Sequence, residues 1–181
     1  RLPNFQERFF QEARTVARLS HPNIVQVFDF GQQVVDEIQQ LFIVMEFIPG
    51  QNLSQALKDY QARKQPFPLT EAVEMMRQVA LALEYAHRQG VLHRDLKPDN
   101  VILRSEPMPT LPYRPVITDL GLAKLAGGDV ETQVGTTMGT PAYMSPEQAL
   151  GQQASAASDI YSLGVMFYEL CAGRLPFQVK N

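Results

Sequence analysis

Apolar residues recur along this chain at two spacings, three to four residues apart in some stretches and continuous or alternating in others. The wider spacing runs from Asn4 to Leu19 and from Thr70 to Gln89, and it predicts two amphipathic helices that pack on a core. A shorter helix is expected to begin near Leu53. The apolar stripe of the second long helix is expected to consist of Val73, Met76, Val79, Ala80, Leu83 and Ala86.

Strand-like runs occur in two pairs. "IVQVFDF" (24–30) and "LFIVMEF" (41–47) are separated by a polar, Gln-rich connection and predict an antiparallel pair. "VIL" (101–103) and "PVIT" (115–118) predict a second hairpin, and they bracket polar loops. The intervening "RSEPMPTLPYRP" (104–115) carries four of the 13 prolines, so we expect an irregular surface excursion there.

The last apolar stretch, from Asp159 to Cys171, is hydrophobic on nearly every side at helical length. This pattern predicts a helix that is surrounded by protein on most sides. Free cysteines are usually buried, so we expect Cys171 to be a core residue of this helix.

Composition narrows the function class. The 181 residues include 45% hydrophobic ones, enough for a folded core, and the net charge of -3 offers no basic field for nucleic acid. The most apolar window, from Ile160 to Gly173, is too short and too polar to span a membrane. One cysteine fits a reducing compartment, so we expect a cytoplasmic location for this part. Because the chain opens on Arg1, we expect it to be a fragment.

The richest polar loop is "HRDLKPDN" (93–100), which lies between two short apolar runs. Phosphoryl transfer needs a carboxylate to orient a hydroxyl, a cation for the phosphate and oxygen ligands for magnesium. Asp95, Lys97 and Asn100 match these three needs in one tight loop. We therefore look for phosphoryl-transfer chemistry here.

This octet resembles the catalytic loop of eukaryotic-like Ser/Thr protein kinases, and "SPEQA" and "SDIYSLG" resemble the bacterial group. The resemblance implies an α+β, two-lobed kinase-like fold that is truncated, with a partial small lobe at 1–48 and a mostly helical, partial large lobe at 49–181. It also implies transfer of the ATP γ-phosphate to Ser or Thr hydroxyls of protein substrates, with Mg²⁺ as the cofactor.

The same resemblance selects a magnesium ligand in "TDLGLAK", where Leu120 replaces the usual Phe. Asp119 and Asn100 are expected to hold the metal. An earlier triplet, Asp29-Phe30-Gly31, has the usual letters of that motif, but it precedes the catalytic loop and is expected to end a strand at a turn. We interpret it as a decoy.

The nucleotide site is implied by resemblance alone. Met45, Glu46 and Ile48 lie where the kinase hinge meets adenine, with backbone hydrogen bonds from Glu46 and Ile48, and Ile102 would lie beneath the base. A plain edge strand and an apolar core would show the same patterns. Glu12 matches the helix Glu that pairs with a strand Lys, although no such Lys and no Gly-rich loop precede it in this sequence.

The segment "GTPAYMSPEQ" (139–148) resembles the end of a kinase activation loop. By that match Thr140 would hydrogen-bond toward Asp95 and Lys97. Glu147 would pair with an Arg later in the domain, which we expect to lie beyond the present sequence. Asp159 would support the backbone of the catalytic loop from the helix that follows.

Regulation by phosphorylation is a further implication of the resemblance. Arg94 would receive a phosphate from the activation loop through charge-assisted bonds. Thr132, Thr136 and Thr137 are the candidate acceptors, although polar loops are often rich in threonine in any case.

Two alternatives to an active protein kinase remain. A truncated or pseudokinase-like module would act through binding without turnover, and we expect residues 1–181 alone to turn over ATP weakly or not at all. A small-molecule phosphotransferase would share the Asp and Asn ligands. Lys97 and the segment 139–147 disfavour it, since a small acceptor does not need a peptide platform.

Overall fold

The computed structural model describes residues 5–121 and 141–177. The helices are α1 (Phe5–Ala17), α2 (Leu53–Ala62), α3 (Leu69–Arg88), α4 (Pro146–Ala149) and α5 (Ala156–Ala172). The strands are β1 (Val27–Val35), β2 (Ile38–Met45), β3 (Gly50–Asn52), β4 (Val101–Arg104) and β5 (Arg114–Ile117). Two single 3-10 turns cover Pro98–Asn100 and Pro141–Tyr143.

Helix α1 forms as predicted and packs on the antiparallel pair β1–β2. Its buried face includes Phe9 and Ala13, which contact Phe30 and Leu41 of the hairpin. The apolar positions of α1 therefore face the strands that follow it, which is what an amphipathic helix beside a half-buried sheet requires.

The hairpin β1–β2 confirms the predicted antiparallel pair but corrects its extent. The Gln-rich segment expected to connect the strands belongs to them, and Gln33 pairs with Gln40. The turn consists of Asp36 and Glu37, with φ angles of 49° and 63°, as in the two-residue hairpin turns whose twist matches the strands. Backbone pairing through this tight turn outweighs the weak strand propensity of Gln.

The triplet Asp29-Phe30-Gly31 lies inside β1 and does not end the strand at a turn, so that expectation is wrong. Asp29 is opposite Val44 and Gly31 is opposite Phe42. The Asp29 carboxylate accepts a hydrogen bond from the adjacent Phe30 amide at 2.8 Å. Its location within a paired strand, far along the chain from the catalytic loop, is consistent with its being a decoy.

Helix α3 carries the centre of the core, and its stripe is rotated slightly from the predicted one. Val79, Leu83 and Ala86 are fully buried as expected, whereas Val73 is 50% exposed. Ala80, also predicted, is only partly buried, whereas Ala72, Met75 and Ala82 join the buried stripe. The complete buried stripe consists of Ala72, Met75, Met76, Val79, Ala82, Leu83 and Ala86.

A second sheet, with the strand order β3-β4-β5, contains the predicted hairpin of "VIL" and "PVIT". Val101 is opposite Ile117, so the first residue of β4 and the last of β5 meet. Gly50 allows β3 to approach closely, since a Cβ there would lie 2.1 Å from the Leu103 carbonyl oxygen. Between the strands, residues 105–113 are irregular, as predicted, and they are anchored by the buried side chain of Leu111.

Helix α5 corrects two expectations about burial. One side packs on α3 through Val165 and Leu170, but Ile160 is 52% exposed and Cys171 is exposed as well. The described neighbours of α5 lie on one side of the helix, so within the described residues it is not surrounded. Among these residues, no helix combines the length and hydropathy that crossing a membrane requires.

Candidate active site

The loop between α3 and β4 is held from beneath by one buried carboxylate. Asp159 of α5 is 1% exposed, and its two oxygens accept hydrogen bonds from the backbone amides of His93 and Arg94 at 2.9 and 2.8 Å. Nε2 of His87 lies 2.7 Å from the same carboxylate. The predicted support of the loop by Asp159 is confirmed by these contacts, and His87 adds a third one.

This support fixes an uncommon backbone conformation. Arg94 has a φ of 68°, in the left-handed region that non-glycine residues rarely adopt. Its carbonyl oxygen accepts a hydrogen bond from Nε2 of Gln148 at 2.7 Å, so both its amide and its carbonyl are held by distant residues. Strained residues of this kind persist only where surrounding contacts fix them, and they occur mostly at functional sites.

The three predicted loop side chains meet at one point. Nζ of Lys97 lies 2.7 Å from Oδ2 of Asp95. Nδ2 of Asn100 donates to the Asp95 carbonyl oxygen at 2.8 Å and lies 3.3 Å from its Oδ2. The Asp95 side chain is 39% exposed, whereas Asn100 is buried. The site therefore combines an accessible carboxylate with a fixed cation and a fixed amide.

Asp119 arrives beside this cluster from the end of β5. The Thr118 amide donates to the Asn100 carbonyl oxygen at 2.9 Å, so Asp119 follows directly on a residue that is bonded to Asn100. Its φ of 58° is again left-handed, and its side chain is exposed. Leu120 next to it is 1% exposed, which agrees with an apolar anchor in place of the usual Phe.

His93 is a fully buried residue that sequence reasoning did not single out. Its Nδ1 accepts a hydrogen bond from the Asp95 amide at 3.3 Å. Burial holds the pKa of His93 below its usual value, while the negative charges of Asp159, Asp95 and Asp119 act in the opposite direction. The first letter of "HRD" could have pointed to His93, whereas nothing local in the sequence marks His87.

The residues expected at the adenine site share an apolar cluster. Ile48 is buried with Val25 and Val116, and both Met45 and Ile102 pack against it. Three of the residues predicted to contact adenine, Met45, Ile48 and Ile102, therefore belong to one apolar cluster. The adenine contact itself remains a prediction.

Glu46 is fixed in this region by side-chain contacts. Its carboxylate accepts from Nη2 of Arg104 at 2.6 Å and from the Gln26 amide at 3.0 Å. Its own amide donates to the Gln26 carbonyl oxygen at 2.9 Å. Glu46 is therefore joined both to the residue that precedes β1 and to Arg104 at the end of β4.

Two further predictions meet partners that the sequence did not suggest. Oε2 of Glu12 lies 3.8 Å from Nη1 of Arg94, so α1 contacts the loop at 93–100 directly. Oε1 of Glu147 accepts a hydrogen bond from the Ser158 hydroxyl at 2.6 Å, a contact that the resemblance did not imply. That hydrogen bond is the main reason why the pKa of Glu147 lies below its usual value.

Four predicted residues lie outside the described ranges: Thr132, Thr136, Thr137 and Thr140.

The donor set fits magnesium. Asn100 and Asp119 offer amide and carboxylate oxygens, the hard ligands that Mg²⁺ prefers. Nδ2 of Asn100 donates to the carbonyl oxygen of Asp95. Within the described residues, Oδ1 of Asn100 accepts no hydrogen bond. The described ranges contain no cluster of three His, Cys, Asp or Glu that could hold a metal without help. A metal bound through few protein ligands and through substrate phosphates is the usual arrangement for Mg²⁺.

Comparison with known proteins decides the family. The sequence model of the family described as "Protein kinase domain" matches residues 2–181. The chain belongs to the protein kinase domain family. It is 44% identical over 176 residues to the serine/threonine-protein kinase PknA of Mycobacterium tuberculosis, covering 97% of this chain and 38% of that protein. It is 43% identical over 175 residues to the serine/threonine-protein kinase pkn3 of Myxococcus xanthus, covering 94% of this chain and 30% of that protein.

Solved structures confirm the partial α+β kinase fold. The kinase domain of Mycobacterium tuberculosis PknI superimposes with a TM-score of 0.73 at 30% identity. This match covers 98% of the present chain and 61% of that domain. The chain spans 38% of the length of PknA and 30% of the length of pkn3.

Proposed function

We propose that the protein carrying this kinase domain transfers the γ-phosphate of ATP to Ser or Thr hydroxyls of protein substrates. The observation that supports this most strongly is the contact of Asp95 with both Lys97 and Asn100 in a loop fixed by Asp159. Positioning and charge stabilisation supply most of phosphoryl-transfer catalysis, so a rigid cluster of this composition suits the reaction.

In this proposal Asp95 accepts a hydrogen bond from the substrate hydroxyl and orients it toward the γ-phosphorus. The hydroxyl oxygen forms the new bond to phosphorus, the bond from phosphorus to the bridging oxygen of ADP breaks, and Asp95 accepts the hydroxyl proton. Lys97, now 2.7 Å from Asp95, would contact the transferred phosphate and offset its charge.

Asn100 and Asp119 are the residues proposed to hold Mg²⁺, through Oδ1 and a carboxylate oxygen respectively. Held by these two residues, Mg²⁺ would supply charge neutralisation for the phosphates of the nucleotide. The hydrogen bond between Thr118 and Asn100 keeps the two ligand-bearing segments at a fixed separation. The excursion at 105–113 does not disturb this, because loop length costs little once the strand ends are paired.

We place adenine against the apolar cluster that contains Met45, Ile48 and Ile102, with Glu46 and Ile48 offering backbone groups. This assignment divides the kinase domain into a partial small lobe at 1–48 and a partial large lobe at 49–181. The nucleotide would then lie where the two parts meet.

The experiment compares Asp95→Asn with the unmodified full-length protein. Transfer of radiolabelled phosphate from ATP to Ser- and Thr-containing peptides is expected to fall at least about a hundredfold, the usual contribution of a positioned general base. Glu84→Gln is the matched control, because Glu84 is a half-exposed carboxylate on α3 that pairs only with Arg88 in the described residues. Normal turnover by Asp95→Asn, with an unchanged circular dichroism spectrum, would exclude Asp95 from the mechanism.

A further inference from the structure

A groove lies away from the catalytic loop, between α2, the start of α3 and the proline-rich excursion. Its volume is about 640 Å³. Ligand sites in proteins usually have volumes of about 300 to 1,000 Å³. The volume of this groove lies in that range, which is enough for a few residues of a partner. The catalytic cluster around Asp95 does not line it.

The walls of the groove are aromatic and proline-rich. Tyr60 and Phe67 are in ring contact at 4.9 Å, and Tyr113 of the excursion also lines the groove. Pro107 and Pro112 are exposed at its edge, and both come from the excursion. Rigid rings and prolines present a fixed apolar surface at little entropic cost.

The excursion is held in place by its own contacts, so this wall is preformed. The Tyr113 hydroxyl donates to Oε2 of Glu71 at 3.0 Å, which joins the excursion to α3. Leu111 is 3% exposed and inserts into the main core. Arg114 pairs with Glu106 at 2.8 Å across the base of the excursion. A preformed wall lowers the entropy that binding must overcome.

Two carboxylates of the groove differ from the other acidic groups on this side of the molecule. Glu74 pairs with Arg77 at 2.7 Å and Glu106 pairs with Arg114 at 2.8 Å. Asp59 and Glu71, by contrast, accept hydrogen bonds from neutral groups, Nε2 of Gln55 at 2.9 Å and the Tyr113 hydroxyl at 3.0 Å, and in the described ranges neither has a cation within ion-pair distance. The lining therefore holds two carboxylates and one basic residue, Arg63, and among the described residues neither carboxylate forms an ion pair.

We propose that this groove docks an extended, proline-rich segment of a partner protein that carries Arg or Lys. Polyproline II segments fit aromatic-lined grooves because their conformation is preformed and their apolar rings stack on tyrosines. A cation of the segment would pair with Asp59 and Glu71 while lying against Tyr60 or Tyr113. Arg63, which is exposed at the rim, would donate to the carbonyl oxygens that a polyproline II helix leaves free.

The groove is joined to the catalytic loop through rigid elements. Helix α2 packs against the 3-10 turn Pro98–Asn100, and Leu103 of β4 lines the groove three residues after Asn100. A partner docked here is therefore held on the same body as the phosphoryl-transfer site. This inference concerns binding and does not depend on the proposed reaction.

The test measures fluorescence anisotropy of three labelled peptides with the full-length protein. The probe is APPRPPRA, and the two comparison peptides are APPEPPEA and AGGRGGRA. We expect saturable binding of APPRPPRA. APPEPPEA should bind at least roughly tenfold more weakly, because loss of a charged hydrogen-bonded pair is worth about that factor. AGGRGGRA keeps the charges but should also bind at least roughly tenfold more weakly, because its flexible backbone must be ordered and it has no proline rings to pack on the tyrosines. The phosphotransfer variant Asp95→Asn should bind APPRPPRA normally, which separates this test from that of the reaction.

Variants of the groove locate the binding. Asp59→Asn combined with Glu71→Gln should weaken binding of APPRPPRA at least about tenfold. The matched control combines Glu37→Gln with Glu84→Gln, which changes net charge equally at positions outside the groove, and it should bind within about twofold of the unmodified protein. Tyr113→Phe keeps the ring and removes the hydroxyl that contacts Glu71, so it should weaken binding less than Tyr113→Ala.

Four results would overturn the proposal. Absence of binding at millimolar peptide would do so, and so would equal binding of AGGRGGRA, which would remove the need for proline. Preferred binding of APPEPPEA that is lost in Arg63→Gln would assign the groove to acidic segments instead. A change of oligomeric state in the groove variants, without any peptide binding, would assign it to a second copy of the chain.

Discussion

Replacing Asp159 with Asn tests how the catalytic loop is held. The carboxylate of Asp159 is 1% exposed and accepts from the amides of His93 and Arg94 and from the side chain of His87. The Asn side chain keeps one oxygen and places an NH₂ group where the other oxygen accepted. At least one buried N–H then faces a donor rather than an acceptor.

The magnitude follows from the contacts that are lost. A buried polar group without a partner costs about 1 to 3 kcal/mol. The left-handed backbone of Arg94 stores a similar strain of about 1 to 3 kcal/mol, and its amide bond to Asp159 is one of the contacts that maintain it. This strain is present in both proteins and does not add to their difference, so we expect the local stability of the loop to fall by about 1 to 3 kcal/mol, which corresponds to a roughly fivefold to hundredfold larger open population.

Amide hydrogen exchange measured by mass spectrometry on the full-length protein reads this opening directly at residues 93 and 94. Phosphotransfer is expected to fall with it, because Asp95 follows directly on the loosened backbone. The control is Ser162→Ala, which removes a buried hydroxyl of the same helix that donates to the Tyr143 carbonyl oxygen at 2.7 Å. It should leave exchange at 93 and 94 unchanged.

Unchanged exchange at residues 93 and 94 in Asp159→Asn would show that the Asp159 carboxylate does not hold these two amides in place. So would equal acceleration in Ser162→Ala, since that would show a general loosening of α5 instead of the loss of a specific clamp.

Two further predictions concern titration and modification. Burial lowers the pKa of His93, so as pH decreases the unfolded chain binds a proton before the folded protein does, and the free energy of unfolding should fall below about pH 6.5. When unfolding is measured from pH 8 to pH 5, the free energy of unfolding should decrease less in His93→Phe than in the unmodified protein. An identical pH dependence in the two proteins would contradict this role of His93. Phosphate mapping of autophosphorylated full-length protein should find Thr132 or Thr137 modified, with Arg94→Gln lowering the activity gained from it; a loop without phosphate would reject this regulatory role.

Patterns among residues close in sequence were enough to predict several elements of the fold and part of the candidate site. Helix α1, the two hairpins and the excursion followed from apolar spacing and proline content, because each is determined by residues close in sequence. The cluster of Asp95, Lys97 and Asn100 was predictable for the same reason, since a single eight-residue loop contains all three.

Long-range packing accounts for what the sequence could not provide. His87 and Asp159 are 72 residues apart, and only the packing of α3 on α5 brings them within 2.7 Å. Exposure of Cys171 and Val73 likewise depends on which neighbours each helix meets, and hydrophobicity alone does not specify that. The contact of Glu12 with Arg94 joins two distant segments and had no local signal.

We propose that metal-dependent phosphoryl transfer uses the segment at Asp119 and not the similar triplet at Asp29. The most direct measurement is Mg²⁺-dependent phosphotransfer by full-length Asp119→Asn and Asp29→Asn, assayed in parallel. We predict a loss of at least about a hundredfold for Asp119→Asn and no change for Asp29→Asn, whose side chain is exposed on β1. Normal transfer by Asp119→Asn, or a comparable loss in Asp29→Asn, would contradict the account.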